Sequence, residues 1–145
     1  YLGQNDIQNL IFYGPAGTGK TTLAKLIVKN LDCEHLYINA SDERGIETIR
    51  DKVSGFASTM SFKPLKVVIL DEPFVNLDPT TQIRLKILIK ELIKNKEVTV
   101  LISSHDLTHV TEVCERIVVL DKGNVVKDIQ TSTETLKELE SYFSV

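Results

Sequence analysis

The chain of 145 residues has the length of one ordinary domain, and its 42% hydrophobic and 26% charged residues exclude a disordered or fibrous protein. A formal net charge of −3 excludes a broad basic field that would attract nucleic acid or anionic lipid. The longest apolar runs, such as Val67–Leu70, are far shorter than the ~20 residues of a membrane-spanning helix.

Cysteine content and the first residue indicate the setting of the chain. Cys33 and Cys114 are too few for a disulfide framework and are not spaced as metal ligands, so we expect reduced thiols in a cytoplasmic protein. The chain begins with Tyr1 and shows no leader-like segment, so we expect an excised or engineered piece of a protein.

Short β-like runs alternate with helical periods along the chain, which predicts an α/β fold with a mainly parallel sheet between two layers of helices. Runs rich in Ile, Val and Leu without alternation predict five core strands: Leu10–Tyr13, Leu36–Asn39, Val67–Leu70, Val98–Ile102 and Ile117–Leu120. The turn at 121–124 places Val125–Lys127 at hairpin spacing, so the sheet is expected to end in an antiparallel edge.

Helical periods fill the gaps between these strands. The first two predicted helices are Lys20–Asn30 and the segment from Ile46 to Ala57. A third begins with Asp78 as N-cap and Pro79 at the first helical position, and is expected to bury Ile83, Leu85, Leu88, Ile89 and Leu92. A short fourth helix is predicted through Leu107, Val110 and Val113. Thr131 and Glu134 are predicted to form a capping box at the start of the last helix. This helix is expected to carry Leu136, Leu139 and Phe143. With no repeat and no linker, one domain spanning 1–145 is expected.

A glycine-rich loop is the strongest motif, since residues 14–21 fit G-x-x-x-x-G-K-[ST], the P-loop or Walker A pattern. It follows a predicted strand and opens a predicted helix, so its backbone N–H groups are expected to wrap a phosphate chain at the positive end of that helix. We therefore predict a three-layer α/β/α P-loop NTPase fold. The residues expected to bind the nucleotide are Gly14, Pro15, Ala16, Gly17, Thr18, Gly19, Lys20, Thr21 and Thr22.

Two carboxylates follow the apolar run Val67–Leu70, as in a Walker B strand. Because strand ends converge on the ligand crevice in open α/β sheets, Asp71 is predicted to hold Mg²⁺ together with the Thr21 hydroxyl. Glu72 is predicted to orient the attacking water and accept its proton, and Lys20 to contact the β- and γ-phosphates. Two solvated acids at a strand end would be the plainer interpretation of Asp71 and Glu72.

His105 lies in the run Ser103-Ser104-His105-Asp106, which follows the apolar part of a predicted strand. At the tip of a strand beside the phosphate loop, it could contact the γ-phosphate and respond to its loss. A lone histidine is more often a surface or helix-capping residue, and both interpretations stay open on the residues alone.

Residues from about 10 to 72 resemble the AAA+ module of sliding-clamp loaders of the replication factor C type. The resemblance rests on three runs: Phe12–Thr21, Asn39–Ile46, and Ile49–Val53 with Phe56-Ala57. It implies ATP and Mg²⁺ as cofactors. It also implies a parallel sheet whose sensor strand lies between the phosphate-loop strand and the acidic strand.

Residues from about 69 to 127 instead resemble the end of an ABC-transporter nucleotide-binding domain. The matching runs are Leu70–Pro73, Asn76–Pro79, Ile102–Asp106 and Cys114–Gly123. By this resemblance His105 is the switch histidine, and Leu77-Asp78 forms the loop that crosses to a partner subunit. We interpret the chain as a chimera of two parts, about 1–68 and about 69–145, joined at the acidic strand near Lys66–Pro73.

Departures from both families limit the expected activity. Between Lys20 and Leu70 there is neither the ABC glutamine loop nor its Leu-Ser-Gly-Gly signature, and no run after Glu72 matches the AAA+ arginine finger, sensor-1 asparagine or lid. The leading hypothesis is a minimal P-loop domain that binds Mg·ATP or Mg·GTP with weak or absent hydrolysis, with Lys20, Glu72 and His105 as the catalytic residues.

Two other classes of function stay open. One is a DNA-replication interaction module that uses Arg50 and Lys52. The acids Glu47 and Asp51 lie beside these residues, so nucleic acid is not expected as a partner for this chain alone. The other is a folded scaffold without activity. A weak homodimer is a further expectation about partners, and no membrane span is expected.

Overall fold

The computed structural model describes residues 9–15, 19–39, 45–60, 62–75, 77–95, 98–105, 113, 115–131 and 134–143. Six strands occur in these ranges: β1 (Leu10–Tyr13), β2 (Cys33–Asn39), β3 (Leu65–Asp71), β4 (Thr99–Ser104), β5 (Arg116–Asp121) and β6 (Asn124–Gln130). They form one sheet in the order β2-β3-β4-β1-β5-β6. All neighbours are parallel except β5 and β6. The predicted α/β sheet with an antiparallel edge is confirmed.

Four helices lie in the described ranges: α1 (Lys20–Asn30), α2 (Ile46–Ser58), α3 (Pro79–Asn95) and α4 (Thr135–Phe143). One face of the sheet packs against α1, whose Ala24, Ile27 and Val28 join Leu10 and Phe12 of β1 in a buried cluster. The opposite face packs against α2, α3 and α4 in a second cluster. The helices therefore form two layers around the sheet, as the three-layer prediction required.

Strand bounds differ from the prediction where pairing, rather than composition, sets them. The edge strand β2 extends back to Cys33 because it pairs with β3 from Cys33↔Leu65 to Asn39↔Asp71. Its first residues are mixed in polarity, since an edge strand is buried less completely than a central one, and their sequence predicts no strand. Ladder hydrogen bonds to a buried neighbour are enough to keep them extended.

The start of α3 confirms the predicted cap. Asp78 accepts hydrogen bonds from the backbone N–H of Thr81 at 3.2 Å and from its hydroxyl at 2.5 Å, and Pro79 is the first helical residue. The predicted burial of Ile83 is wrong, because Ile83 is 59% exposed whereas Leu85 and Ile89 are fully buried. At 3.6 residues per turn, positions two apart are separated by about 200°, so Ile83 and Leu85 lie on opposite sides of the helix.

The predicted capping box of the last helix is also wrong. The helix α4 begins at Thr135, and its first backbone bond runs from Glu138 N to Glu134 O at 3.1 Å. Thr131 lies further back and donates its N–H to Glu115 O at 2.8 Å, which continues the pairing of β5 and β6. Leu139 is buried as predicted, while the side chains of Leu136 and Phe143 lie outside the described residues.

One predicted helix lies in a segment that is described only in part. Of the predicted helix through Leu107, Val110 and Val113, only Val113 lies within the described residues, and it is buried. In the ranges given above, no helix is both long and apolar enough to cross a membrane.

Lys66 links β3 to α2. Its ammonium donates to Phe56 O at 2.9 Å and to Ala57 O at 3.1 Å, at the C-terminal end of α2. Phe56 O also accepts hydrogen bonds from the Thr59 N–H at 3.4 Å and from the Thr59 hydroxyl at 2.7 Å, and a cation is favoured at this negative end of the helix. The contact ties the last turn of α2 to the first residues of the central strand.

We expect Ile69→Ala to lower the free energy of unfolding by about 2–5 kcal/mol, because Ile69 is fully buried on β3 between the paired strands β2 and β4. Urea denaturation measures this loss. The matched control is Ile83→Ala on the exposed side of α3, for which a change within about 0.5 kcal/mol is expected. A loss below ~1 kcal/mol for Ile69→Ala would contradict a continuous core across this strand.

Candidate functional site

The carboxyl ends of three neighbouring strands bring the predicted site residues to one edge of the sheet. Tyr13 pairs with Ser104, and Asp71 pairs with Ser103. Two backbone bonds continue this alignment beyond the strands, from Gly14 N to Ser104 O at 3.3 Å and from Glu72 N to Ser103 O at 3.0 Å. The start of the glycine-rich loop, the acidic pair and His105 are therefore adjacent.

Lys20 is the first residue of α1, and its side chain folds back against the loop. The ammonium donates to Gly14 O at 2.7 Å and to Pro15 O at 3.0 Å, and lies 3.8 Å from Glu72 Oε1. The side chain is only 6% exposed, and this burial lowers the pKa of Lys20, although the charges of Glu72 and Asp71 oppose the shift. A desolvated ammonium at this edge attracts an anion more strongly than a hydrated one would.

Gly19 makes the turn from the loop into α1. Its φ of +90° lies in the left-handed region, where a side chain would be strained, so glycine is required at this position. Thr22 is exposed in the first turn of the helix. Ala16, Gly17 and Thr18, also predicted to bind nucleotide, lie outside the described residues.

Asp71 accepts hydrogen bonds from three hydroxyl groups. Thr21 and Ser103 donate to Oδ1 at 3.0 and 2.6 Å, and Tyr37 donates to Oδ2 at 2.5 Å. Burial acts to raise the pKa of Asp71, but the hydrogen bonds from these three hydroxyls outweigh it, so the pKa lies below its ordinary value. The carboxylate is therefore charged at neutral pH and held on both oxygens.

Two of these donors, Ser103 and Tyr37, were not predicted from the sequence. Ser103 carries a weak signal, since it follows an apolar strand next to the polar run that contains His105. Tyr37 carries none, because its approach to Asp71 follows from the register of β2 against β3. That register is not readable from a single edge strand.

Glu72 lies between Lys20 and His105. Its Oε2 is 2.9 Å from His105 Nδ1, and its Oε1 faces the Lys20 ammonium. The backbone of Glu72 has a φ of +50°, which is unusual for a residue other than glycine, and a turn follows in which Val75 N donates to Glu72 O at 3.3 Å. This strained turn directs the carboxylate toward the glycine-rich loop, and strain of this kind is common at functional sites.

Thr21 and Asp71 provide a donor set that suits Mg²⁺. A hydroxyl and a carboxylate oxygen lie 3.0 Å apart, and hard oxygen ligands are the ones that this cation prefers. Within the described ranges no group of three or more His, Cys, Asp or Glu side chains could hold a metal. Mg²⁺ does not require one, since at phosphate sites it takes one or two protein oxygens and completes its shell with waters and phosphates.

In the part of the chain that the structure describes, two cavities flank α1 on its face of the sheet, and neither has residues of the glycine-rich loop in its lining. One of about 220 Å³ lies between α1 and the β5–β6 hairpin, where Leu23, Val118 and Val125 are among its lining residues. The other, of about 310 Å³, lies beside β2 and includes Lys25, Lys29, His35 and Tyr37 in its lining. The second cavity approaches the site only through Tyr37.

The lowered pKa of Asp71 predicts a pH-dependent contribution to stability. A carboxylate whose folded-state pKa lies below the unfolded value of ~3.9 stabilises the fold above about pH 4, and this contribution is lost as the pH falls through the folded-state pKa. We expect Asp71→Asn to reduce the free energy of unfolding at pH 7. The difference in this free energy between the parent and the variant, the stability gap, should become smaller below about pH 4.

Urea denaturation in EDTA at pH 7, 5, 4 and 3 measures this gap. Ser103→Ala serves as the partial control, because it removes one of the donors to Asp71 and should show a smaller gap with the same direction of change. A gap for Asp71→Asn that stays constant over this range of pH would contradict the assignment.

Comparison with known proteins gives a family match over most of the chain. The model of the "ATPase family associated with various cellular activities (AAA)" matches residues 10–119. Replication factor C small subunit 2 of Pyrobaculum islandicum is 46% identical over 79 residues, and replication factor C small subunit of Haloarcula marismortui is 47% identical over 79 residues. These alignments cover 50% of this chain, which spans about a quarter of the length of the two relatives, 25% and 24%.

Solved structures with the same fold come from another group of ATPases. The dimeric structure of a bacterial ABC transporter cassette matches with a TM-score of 0.58 at 16% identity and covers 86% of each chain. The structure of cbiO1 from Clostridium perfringens, part of an ABC transporter complex, matches with a TM-score of 0.61 at 19% identity, over 95% of this chain and 82% of that one. At these identities the likeness concerns the fold alone.

Proposed function

Because the chain belongs to the ATPase family associated with various cellular activities (AAA), we propose that it binds ATP with Mg²⁺ at the sheet edge formed by Gly14, Lys20 and Asp71. Membership in this family suggests nucleotide binding, with ATP and Mg²⁺ as the usual ligands. The observation that carries the proposal is the meeting of the buried Lys20 ammonium and the Thr21–Asp71 pair at that edge.

Binding would draw on the loop and on the start of α1. The backbone N–H groups of the first turn of α1 have no helical partner, and the positive end of the helix dipole favours a phosphate there. Lys20 would exchange its bonds with Gly14 O and Pro15 O for phosphate oxygens, which carry more negative charge than carbonyls. This change of partners would require only a short movement of the Lys20 ammonium.

The metal would bind between Thr21 and Asp71. When bound, Mg²⁺ neutralises phosphate charge. Thr21 would offer an oxygen lone pair to the cation, and Ser103 would continue to hold Oδ1. Asp71 supplies a full negative charge for this task, since its pKa is held below the ordinary value.

We expect Lys20→Ala to weaken ATP binding by about 10- to 100-fold, because a charged hydrogen bond to phosphate contributes about 1.5–3 kcal/mol. Calorimetric titration with ATP, GTP and ADP, with and without Mg²⁺, measures the affinity and also the base preference. The matched control is Lys29→Ala, an exposed lysine on the same helix, which should bind as the parent does. ATP binding by Lys20→Ala at parental affinity would contradict the assignment of the loop.

Thermal stability offers an independent check that the protein is more than a folded scaffold. A ligand present at 100 times its Kd adds about 2.7 kcal/mol to the free energy of unfolding. Lys20→Ala should keep a cooperative unfolding transition and lose this gain. A parent chain whose melting temperature does not respond to ATP would favour the inactive scaffold.

Hydrolysis at this site would be slow. Glu72 would orient a water and accept its proton, and His105 would hold the Glu72 carboxylate through the 2.9 Å contact with Oε2. In related P-loop enzymes a cation supplied to the transferring phosphoryl group contributes roughly 10³–10⁵ in rate. No run of this sequence resembles the arginine finger or signature loop that provides it, and an imidazole does not carry the permanent charge of a guanidinium.

We expect intrinsic turnover in the range of ~10⁻⁴ to 10⁻² per second, as for unassisted P-loop enzymes. Phosphate release by the purified chain measures it, with Glu72→Gln and Lys20→Ala as controls for contaminating ATPase. A rate above ~1 per second that is lost in both variants would contradict the prediction, and it would mean that copies of the chain supply the missing group to one another.

The surface of α2 gives no support to a nucleic-acid interface. Arg50 and Arg84 each lie 3.7 Å from the carboxylate of Glu47, so both cations already face an acid.

A cytoplasmic location is a second proposal, and the buried free thiol of Cys33 is consistent with a reducing compartment. A weak homodimer stays a prediction, to be tested by sedimentation alongside turnover.

We further propose that the chain joins a clamp-loader-like part, about 1–68, to an ABC-like part, about 69–145, within one domain. Sequence similarity to replication factor C small subunits over half of the chain supports the first part. Runs such as Asn76–Pro79 and Cys114–Gly123 support the second. The AAA match runs from 10 to 119 across the proposed junction, so family membership does not depend on it.

A further inference from the structure

Tyr37 lies on the edge strand β2, with its ring on the α1 side of the sheet. Its hydroxyl donates to Asp71 Oδ2 at 2.5 Å, and the Lys25 ammonium lies 4.4 Å from the centre of its ring. A cation over an aromatic face is an attractive contact that limits how far the ring can turn. Lys25 of α1 therefore restrains the Tyr37 ring, and the Tyr37 hydroxyl restrains the Asp71 carboxylate on β3.

The three donors to Asp71 divide between its two oxygens. Thr21 and Ser103 share Oδ1, whereas Tyr37 donates to Oδ2. A cation bound to a lone pair of the Thr21 oxygen would leave the hydroxyl hydrogen able to stay on Asp71 Oδ1, because a hydroxyl offers one donor and two acceptor sites. Thr21 and Ser103 would then hold one oxygen of the carboxylate, whereas Tyr37 would hold the other.

We propose that Tyr37 is a positioning residue that sets the orientation of the Asp71 carboxylate for Mg²⁺. The inference rests on the proposed function and adds a residue to its metal site. Tyr37 touches neither the cation nor the nucleotide; it acts through Asp71. Loss of the hydroxyl would allow the carboxylate to rotate about its Cβ–Cγ bond. The oxygen that must face Thr21 would then no longer be kept in one position.

The consequence is a specific change in metal dependence. Outer groups that orient a ligand typically contribute 10- to 100-fold to metal affinity. Tyr37→Phe should therefore raise the Mg²⁺ concentration that half-saturates ATP binding by about 10-fold or more. Binding of ATP in EDTA should not change, since it depends on the loop and on Lys20 rather than on Asp71.

The substitution isolates the hydroxyl. Phenylalanine keeps the aromatic ring beneath Lys25 and removes the hydroxyl that donates to Oδ2. His35→Gln is the matched control, because His35 lies on the same strand and the same face but has no part in the site. Circular dichroism and thermal unfolding confirm that each variant is folded.

The experiment titrates Mg²⁺ into protein with a fluorescent ATP analogue, and repeats the nucleotide titration in EDTA. A rise of about 10-fold or more in half-saturating Mg²⁺ for Tyr37→Phe, with parental affinity in EDTA and parental behaviour of His35→Gln, supports the proposal. Tyr37→Leu, which also lacks the hydroxyl, should shift the Mg²⁺ midpoint in the same direction and provides the test if the first variant does not fold.

Four results would overturn the proposal. A Mg²⁺ midpoint for Tyr37→Phe within about twofold of the parent would show that the hydroxyl does not matter, and a lower midpoint would show that it competes with the metal. An equal loss of affinity with Mg²⁺ and in EDTA would show a general structural effect. If the parent binds the analogue without any response to Mg²⁺, the metal site of the proposed function fails as well, and that failure is visible before any variant is compared.

Discussion

The carboxylate of Asp71 depends on three hydroxyl groups from three different elements. Thr21 belongs to α1, Tyr37 to β2 and Ser103 to β4. Burial of a carboxylate disfavours its charged form, so the hydrogen bonds from all three elements together keep the pKa of Asp71 below its ordinary value. The parallel register of β2, β3 and β4 provides this arrangement, because it brings the carboxyl ends of these strands to one level.

A second set of charges is arranged around Lys20. The ammonium is nearly buried, yet two loop carbonyls and the carboxylate of Glu72 surround it, so the charge is retained with short contacts. The strained backbone of Glu72 directs its side chain into this position, and His105 contacts the second oxygen. Charges fixed in this way need little rearrangement to meet a phosphate, which is the main requirement of phosphoryl chemistry.

Sequence similarity and fold similarity connect this chain with two different groups of proteins, and the sheet explains how both similarities can occur together. Replication factor C small subunits share local sequence with half of it, while ABC cassettes share its fold at 16–19% identity. In this sheet β4 lies between β1 and β3. Strands in this order can be built from many different apolar sequences, provided that the residues have a suitable volume. Lys66 and the common core of α2 and α3 show that packing is continuous through β3.

Local signals in the sequence determined the elements whose ends are set by local chemistry. The bounds of β1 and α1 and the Asp78 cap agree with the prediction, because a glycine turn, a proline and a capping carboxylate act within a few residues. The same signals predicted that Asp71, Glu72 and His105 share one edge, since parallel strand ends converge.

Tertiary structure decided the features that depend on neighbours in space. Pairing with β3 extends β2 back to Cys33, packing of Leu85 turns Ile83 outward, and pairing of β5 and β6 occupies Thr131. Tyr37 belongs to this group as well, because nothing in its own segment marks it as a partner of Asp71. A local pattern fixes the direction of a strand or helix, but contact between two side chains depends on register, which only the assembled sheet defines.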